Sequence, residues 1–251
     1  MKKQNLLLGL ILFILGFIGI LSTLTMKLPI PDETMELLLE KLTPEQIKLV
    51  ILINPAIILI IAIVIGVILH KKVNLRVPII EKLITREGNW NVLQITKYGI
   101  FGGIISGILL VLIGFVFQSS LPKEFIEIGE NIKPSLAARF LYGGITEEIL
   151  IRFGFMSLIV WIVSKIIKGK PDSIYWIGIF ISAIIFALGH FPVAYQAVEN
   201  PSFGLLSYIL IGNSIGGLIF GWLYWKKGLE SAFIAHIFTH IIMISGEQLM
   251  C

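Results

Sequence analysis

Apolar residues run in long blocks along this chain, and polar ones collect between them. Blocks long enough to cross a bilayer fall at about 5–25, 48–69, 95–117, 136–164, 174–198, 203–225 and 229–247. A helix needs about 20 apolar residues to span the hydrocarbon, so the pattern predicts an all-α, polytopic transmembrane bundle of seven spans. An eighth, re-entrant or interfacial piece stays open. The segments 30–47 and 118–134 differ, because their apolar positions recur at helical spacing among mixed charges. "PDETMELLLEKL" reads as a helix lying flat on the surface. Residues 1–251 are expected to form one integral membrane domain.

The loops set the expected orientation. Lys2 and Lys3 make one basic end. Lys71, Lys72, Arg76, Lys82 and Arg86 follow the second span, Lys165, Lys168 and Lys170 the fourth, and Lys226 and Lys227 the sixth. The alternate loops are acidic or neutral, with Asp32, Glu33 and Glu36 in one and Glu124, Glu127 and Glu130 in another. Basic loops face the cytoplasm, so the N-terminus is expected inside and the C-terminus outside. The run from Leu6 to Leu24 exceeds a signal-peptide core and lacks a small-x-small cleavage site, which favours an uncleaved first helix.

Composition adds limits. The chain is 56% apolar, and its net charge is only +4. No basic-aromatic interleaving suggests nucleic acid. Cys251 is the single cysteine, which excludes an intrachain disulfide and a cysteine metal site. No prenylation box is expected at Cys251. Glycines spaced by four, Gly99-Gly103-Gly107, Gly212-Gly216 and Gly217-Gly221, predict close helix packing.

Ionisable residues inside spans are costly and need partners or a polar cavity. The first, second, third and sixth predicted spans hold none away from their ends. The fourth holds Glu147, Glu148 and Arg152, with Arg139 near its start; the fifth holds His190; the seventh holds His236 and His240. Glu148 and Arg152 lie at i and i+4 and share a helix face, whereas Glu147 is turned about 100° away. Gly143 and Gly144 leave room beside that face. His236 and His240 repeat the i, i+4 spacing, as do Phe186 and His190. Pro192 predicts a helix end or kink near His190. A carboxylate and three imidazoles in one bundle make either a metal site or an acid–base centre.

"EEILIR" (Glu147 to Arg152), "FALGH" (Phe186 to His190) and "HIFTH" (His236 to His240) resemble, in order, the three motifs of the CAAX prenyl protease and bacteriocin-processing family, the Abi family of intramembrane proteases. The resemblance covers about residues 135–246, the expected catalytic core. The prenyl-protease branch has Asn where this chain has His240, so the chain looks like the prokaryotic branch, in a prokaryotic plasma membrane. The resemblance implies a type II CAAX prenyl endopeptidase-like enzyme. It would hydrolyse a membrane-associated peptide or protein, of CAAX or leader/signal type. Its partners would be that substrate and the bilayer.

Within that reading, Glu147 is the general base that takes a proton from water, assisted by His190. His236 and His240 donate hydrogen bonds to the oxyanion. Glu148, Arg152 and Phe186 support them. A metal variant would bind zinc through Glu147, His190, His236 and His240. Two further readings use the same residues: a proton-coupled transporter, and a non-catalytic membrane regulator on the same fold. Counting about 1.5 Å per residue puts Glu147 about 15 Å from the outer end of its helix, near mid-bilayer.

Overall fold

The computed structural model describes residues 3–26, 32–87, 91–131, 134–167 and 171–250. Lys2, Lys168, Lys170 and Cys251 lie outside the described residues. Every regular element among the described residues is a helix, and no strand occurs among them. Among the described residues, seven helices are long and apolar enough to cross a membrane: Lys3–Thr25, Pro44–Val73, Val92–Ser120, Ala138–Ile166, Asp172–Gln196, Phe203–Lys227 and Leu229–Gly246. Each overlaps one of the blocks expected from the apolar pattern.

The chain begins with α1 (Lys3–Ser22) and α2 (Asp32–Leu39). A capping box opens α3 (Pro44–Leu69): Thr43 accepts from the Gln46 amide, and the Gln46 side chain accepts from the Thr43 amide. Next come α4 (Pro78–Thr85), α5 (Val92–Phe117) and α6 (Lys123–Asn131). The basic loop after the second span therefore contains a helix, α4, that the apolar pattern does not mark. Pro78 starts it, and the Glu230 carboxylate accepts from the Ile79 and Ile80 amides, each at 2.9 Å. The cap comes from about 150 residues downstream, so no local signal announces it.

The fourth span departs from α geometry. It runs as π1 (Ala138–Glu147), a single α-type residue at Glu148, π2 (Ile149–Met156) and α7 (Ser157–Ile166). π-Helical turns are rare and gather at functional sites. The rest is α8 (Asp172–Leu188), α9 (Phe191–Ala197), α10 (Phe203–Lys227) and α11 (Leu229–Met250). The fifth span breaks at Gly189–His190, with Pro192 in the first turn of α9, as Pro192 predicts.

Packing follows the small residues. A Cβ on Gly99 would lie 2.8 Å from the Ile234 Cβ, and one on Gly107 would lie 2.5 Å from that of Ile242. The glycine stripe of α5 thus lets α11 lie against it, as the four-residue spacing predicts. On α10, Gly217 and Gly221 face Ala183 and Ile179 of α8. π1 sits between α1 and α11, and π2 packs on α3. Buried side chains from Leu8 on α1 to Ala235 on α11 form one large core, and a smaller cluster gathers Ala194, Leu205 and Ile209. The outer face of α3 exposes Ile53, Ile57, Ile60 and Ile61, as a lipid-facing surface does. Basic residues gather at one end: Lys3 and Ile84 line one surface cavity, Lys226 pairs with Asp172, and the Leu229 amide donates to the Arg76 carbonyl.

Candidate active site

Glu148 lies at the centre of the polar residues in the bundle. It is fully buried, and both carboxylate oxygens are used. Its Oε2 accepts from Arg152 Nε at 3.2 Å, the i, i+4 pair expected from the sequence. Its Oε1 lies 3.0 Å from His236 Nδ1 on α11. Arg152, also fully buried, donates from Nη1 to Ser182 Oγ at 3.1 Å, and Ser182 in turn donates to the Ile179 carbonyl at 3.0 Å. The guanidinium lies 5.5 Å from the centre of the Phe186 ring. This buried charge is paired with Glu148 and hydrogen-bonded to Ser182, while its Nη2 has no hydrogen-bond partner among the described residues.

Glu147, one residue earlier, keeps 19% of its side chain exposed. Its Oε2 lies 3.9 Å from His236 Nε2. The sequence led us to expect the two glutamates to face different neighbours. The structure instead brings both to one imidazole, one at each ring nitrogen. Among the described residues, Glu147 makes no hydrogen bond or ion pair to His190 or His240.

Aromatic rings fix the plane of His236. Phe220 of α10 stacks on it at 4.6 Å between centroids and 23° between planes, and His240 stacks at 5.0 Å and 20°. Phe186 meets it edge-on at 6.1 Å and meets His190 at 4.8 Å. His190 stands at the break between α8 and α9, where its Nδ1 donates to the Phe186 carbonyl at 2.9 Å. A carbonyl only accepts, so that nitrogen carries the proton. His240 Nδ1 is buried with no hydrogen-bond partner among the described residues.

The paired glycines make this approach possible. A Cβ on Gly143 would lie 2.7 Å from His240 Nε2, and Gly144 faces Ile237. The room left by Gly143 and Gly144 is filled by α11. Thr146, on the other side of π1, donates to the Gly16 carbonyl of α1 at 2.8 Å and fixes the span against the first helix.

Three supporting residues escaped the sequence reading: Ser182, Phe220 and Thr146. A signal for Ser182 was present, because Ser182, Phe186 and His190 recur every four residues along the fifth span. Phe220 has no such mark in an apolar helix. The zinc set is not assembled: among the described residues, no three His, Cys, Asp or Glu side chains are grouped to hold a metal ion. Glu147 comes within ion-pair distance of one imidazole, that of His236.

The model of the type II CAAX prenyl endopeptidase Rce1-like family matches residues 130–242. No curated protein and no solved structure matches the chain. The matched segment contains Glu147, Glu148, Arg152, His190, His236 and His240, so the polar centre of the bundle falls wholly within it. Over residues 130–242 the chain is thus similar to the Rce1-like type II CAAX prenyl endopeptidase family.

Proposed function

We propose that the protein is an intramembrane endopeptidase that hydrolyses a peptide bond of a membrane-associated peptide or protein tail, of CAAX or leader type, with water activated by Glu147. The observation that carries this reading is the contrast between the adjacent glutamates. Glu148 is buried with both oxygens bonded, whereas Glu147 is partly exposed and holds no hydrogen bond among the described residues. A general base needs an oxygen free to take a proton, and only Glu147 has one.

In this mechanism the water oxygen bonds to the scissile carbonyl carbon as its proton passes to Glu147. The carbonyl oxygen becomes an oxyanion. His190 helps orient the water, and His240, with one ring nitrogen uncommitted, is a donor toward the oxyanion. Breakage of the C–N bond then returns the proton from Glu147 to the leaving amine. Residues 135–246 form the catalytic core of a single membrane domain in a prokaryotic plasma membrane. The gathered basic residues face the cytoplasm, with the N-terminus on that side.

Comparative peptidomics of cells carrying wild-type and Glu147→Gln protein tests this. Peptides released by the wild type should disappear with the variant, and cleavage of such a peptide by purified protein in liposomes should fall by about 10²–10⁴-fold. Undiminished cleavage by a folded Glu147→Gln protein would sink the mechanism. A phenotype that persists without any peptide change would favour a regulator.

A further inference from the structure

The hydrogen bonds around Glu148 decide which atom of His236 faces the reaction. Arg152 is donor-only and always charged, so it holds Glu148 as a carboxylate. An ionised carboxylate only accepts. His236 Nδ1, 3.0 Å from Glu148 Oε1, must therefore carry the ring proton. In the neutral imidazole the other nitrogen is then bare. That nitrogen, Nε2, is the one 3.9 Å from Glu147 Oε2. With His236 neutral, the two groups nearest the proposed chemistry are both acceptors.

Their separation is too long for a direct hydrogen bond and suits a bridging molecule. Between two acceptors, the bridge must donate twice. Water does so, and it is the co-substrate of hydrolysis. We propose that Glu148, held by Arg152 and Ser182, is a positioning residue that fixes His236 as its Nδ1–H tautomer, so that His236 Nε2 and Glu147 Oε2 together grip the attacking water. His236 is then an acceptor for the nucleophile and not the oxyanion donor its spacing from His240 suggests. As the new C–O bond forms, one water O–H bond breaks and its proton goes to Glu147; the other hydrogen stays directed at His236. Phe220 and His240 keep the ring in the plane this requires.

This assignment rests on the proposed hydrolysis for its purpose, but the tautomer is measurable without turnover. The full chain, with histidine labelled with nitrogen-15, is placed in lipid nanodiscs at a pH where imidazoles are neutral. Signals are assigned through single histidine substitutions. The wild type should show His236 protonated at Nδ1 and bare at Nε2. In Glu148→Gln the amide oxygen must face the donor-only Arg152, which turns the NH₂ toward His236 and moves the ring proton to Nε2. Glu148→Asp, which keeps an acceptor-only group, should retain the wild-type tautomer. Unchanged His70 signals show that each variant is folded.

Cleavage should fall at least about 10²-fold in Glu148→Gln, since a catalytic imidazole in the wrong tautomer is costly. A wild-type ring protonated at Nε2, or a Glu148→Gln ring that keeps its proton on Nδ1, overturns the proposal. If Glu147→Gln still cleaves while Glu148→Gln switches the tautomer, the hydrolytic reading fails and the positioning stands.

Discussion

Two histidine clusters sit in this bundle, and they use imidazole in opposite ways. At the basic end, His70 is completely buried and both ring nitrogens are committed. Nδ1 donates to the Gly66 carbonyl at 2.8 Å, and Nε2 faces Glu81 Oε1 at 3.3 Å. Lys71 closes on the same carboxylate oxygen at 3.0 Å, and Phe153 packs against the ring. In the middle of the bundle, His190 and His236 each bind with Nδ1 and leave Nε2 without a hydrogen bond among the described residues. An imidazole bonded at both nitrogens is a strut, whereas one bonded at a single nitrogen is oriented and still free to react. Burial alone does not separate them, because His236 is only 5% exposed.

That contrast can be broken experimentally. The largest effect is expected from Arg152→Met, which leaves the Glu148 charge buried without its partner. Unfolding in detergent should show a loss of about 3–5 kcal/mol, together with loss of cleavage. A loss below 1 kcal/mol would mean that Glu148 is not held as a carboxylate.

His190→Gln and His70→Phe should then diverge. The first should lower cleavage by about 10²-fold or more, with stability within about 0.5 kcal/mol of wild type. The second should cost about 1–3 kcal/mol of stability and leave turnover per folded molecule unchanged. A reversal of these two outcomes would overturn the distinction between strut and reactive ring.

The smallest effect concerns acid. Burial pushes the Glu81 carboxyl up, but His70 and Lys71 outweigh it and hold the group below the ordinary carboxylate value of 4.5. A depressed folded pKa adds stability above the unfolded value, and that stability is lost as pH falls through the folded one. Acid titration of unfolding should therefore show a loss below pH 4.5 that Glu81→Gln reduces. Equal acid sensitivity in both proteins would remove Glu81 from the cluster's account.

The seven spans were legible because bilayer thickness imposes a length, and length survives in the sequence without any knowledge of neighbours. The Glu148–Arg152 pair was legible because it is local. The break at His190 was legible because Pro192 forces it. What stayed hidden depends on how helices rotate against one another. Nothing in "HIFTH" says that His236 meets Glu148 through Nδ1, 88 positions away in the chain. Ser182 and Phe220 are ordinary residues of apolar helices until Arg152 and His236 lie beside them. His70 shows the reverse error: it fell just beyond the predicted second span, yet the helical stretch reaches Val73 and buries it completely.

The π-helical course of the fourth span carries a consequence for its tolerance of length change. An α-helix closes its hydrogen-bonded rings four residues on, a π-helix five. Along Ala138–Glu147 the chain thus holds slack that an α-helix would not. Deleting one residue there, ahead of Glu147, would let the segment tighten and still cross the bilayer, but every side chain beyond the deletion would swing around the axis. The two carboxylates would lose their addresses on the His236 ring while the span itself survived. A codon-by-codon deletion scan should therefore find positions where the protein still inserts and folds but its chemistry is gone.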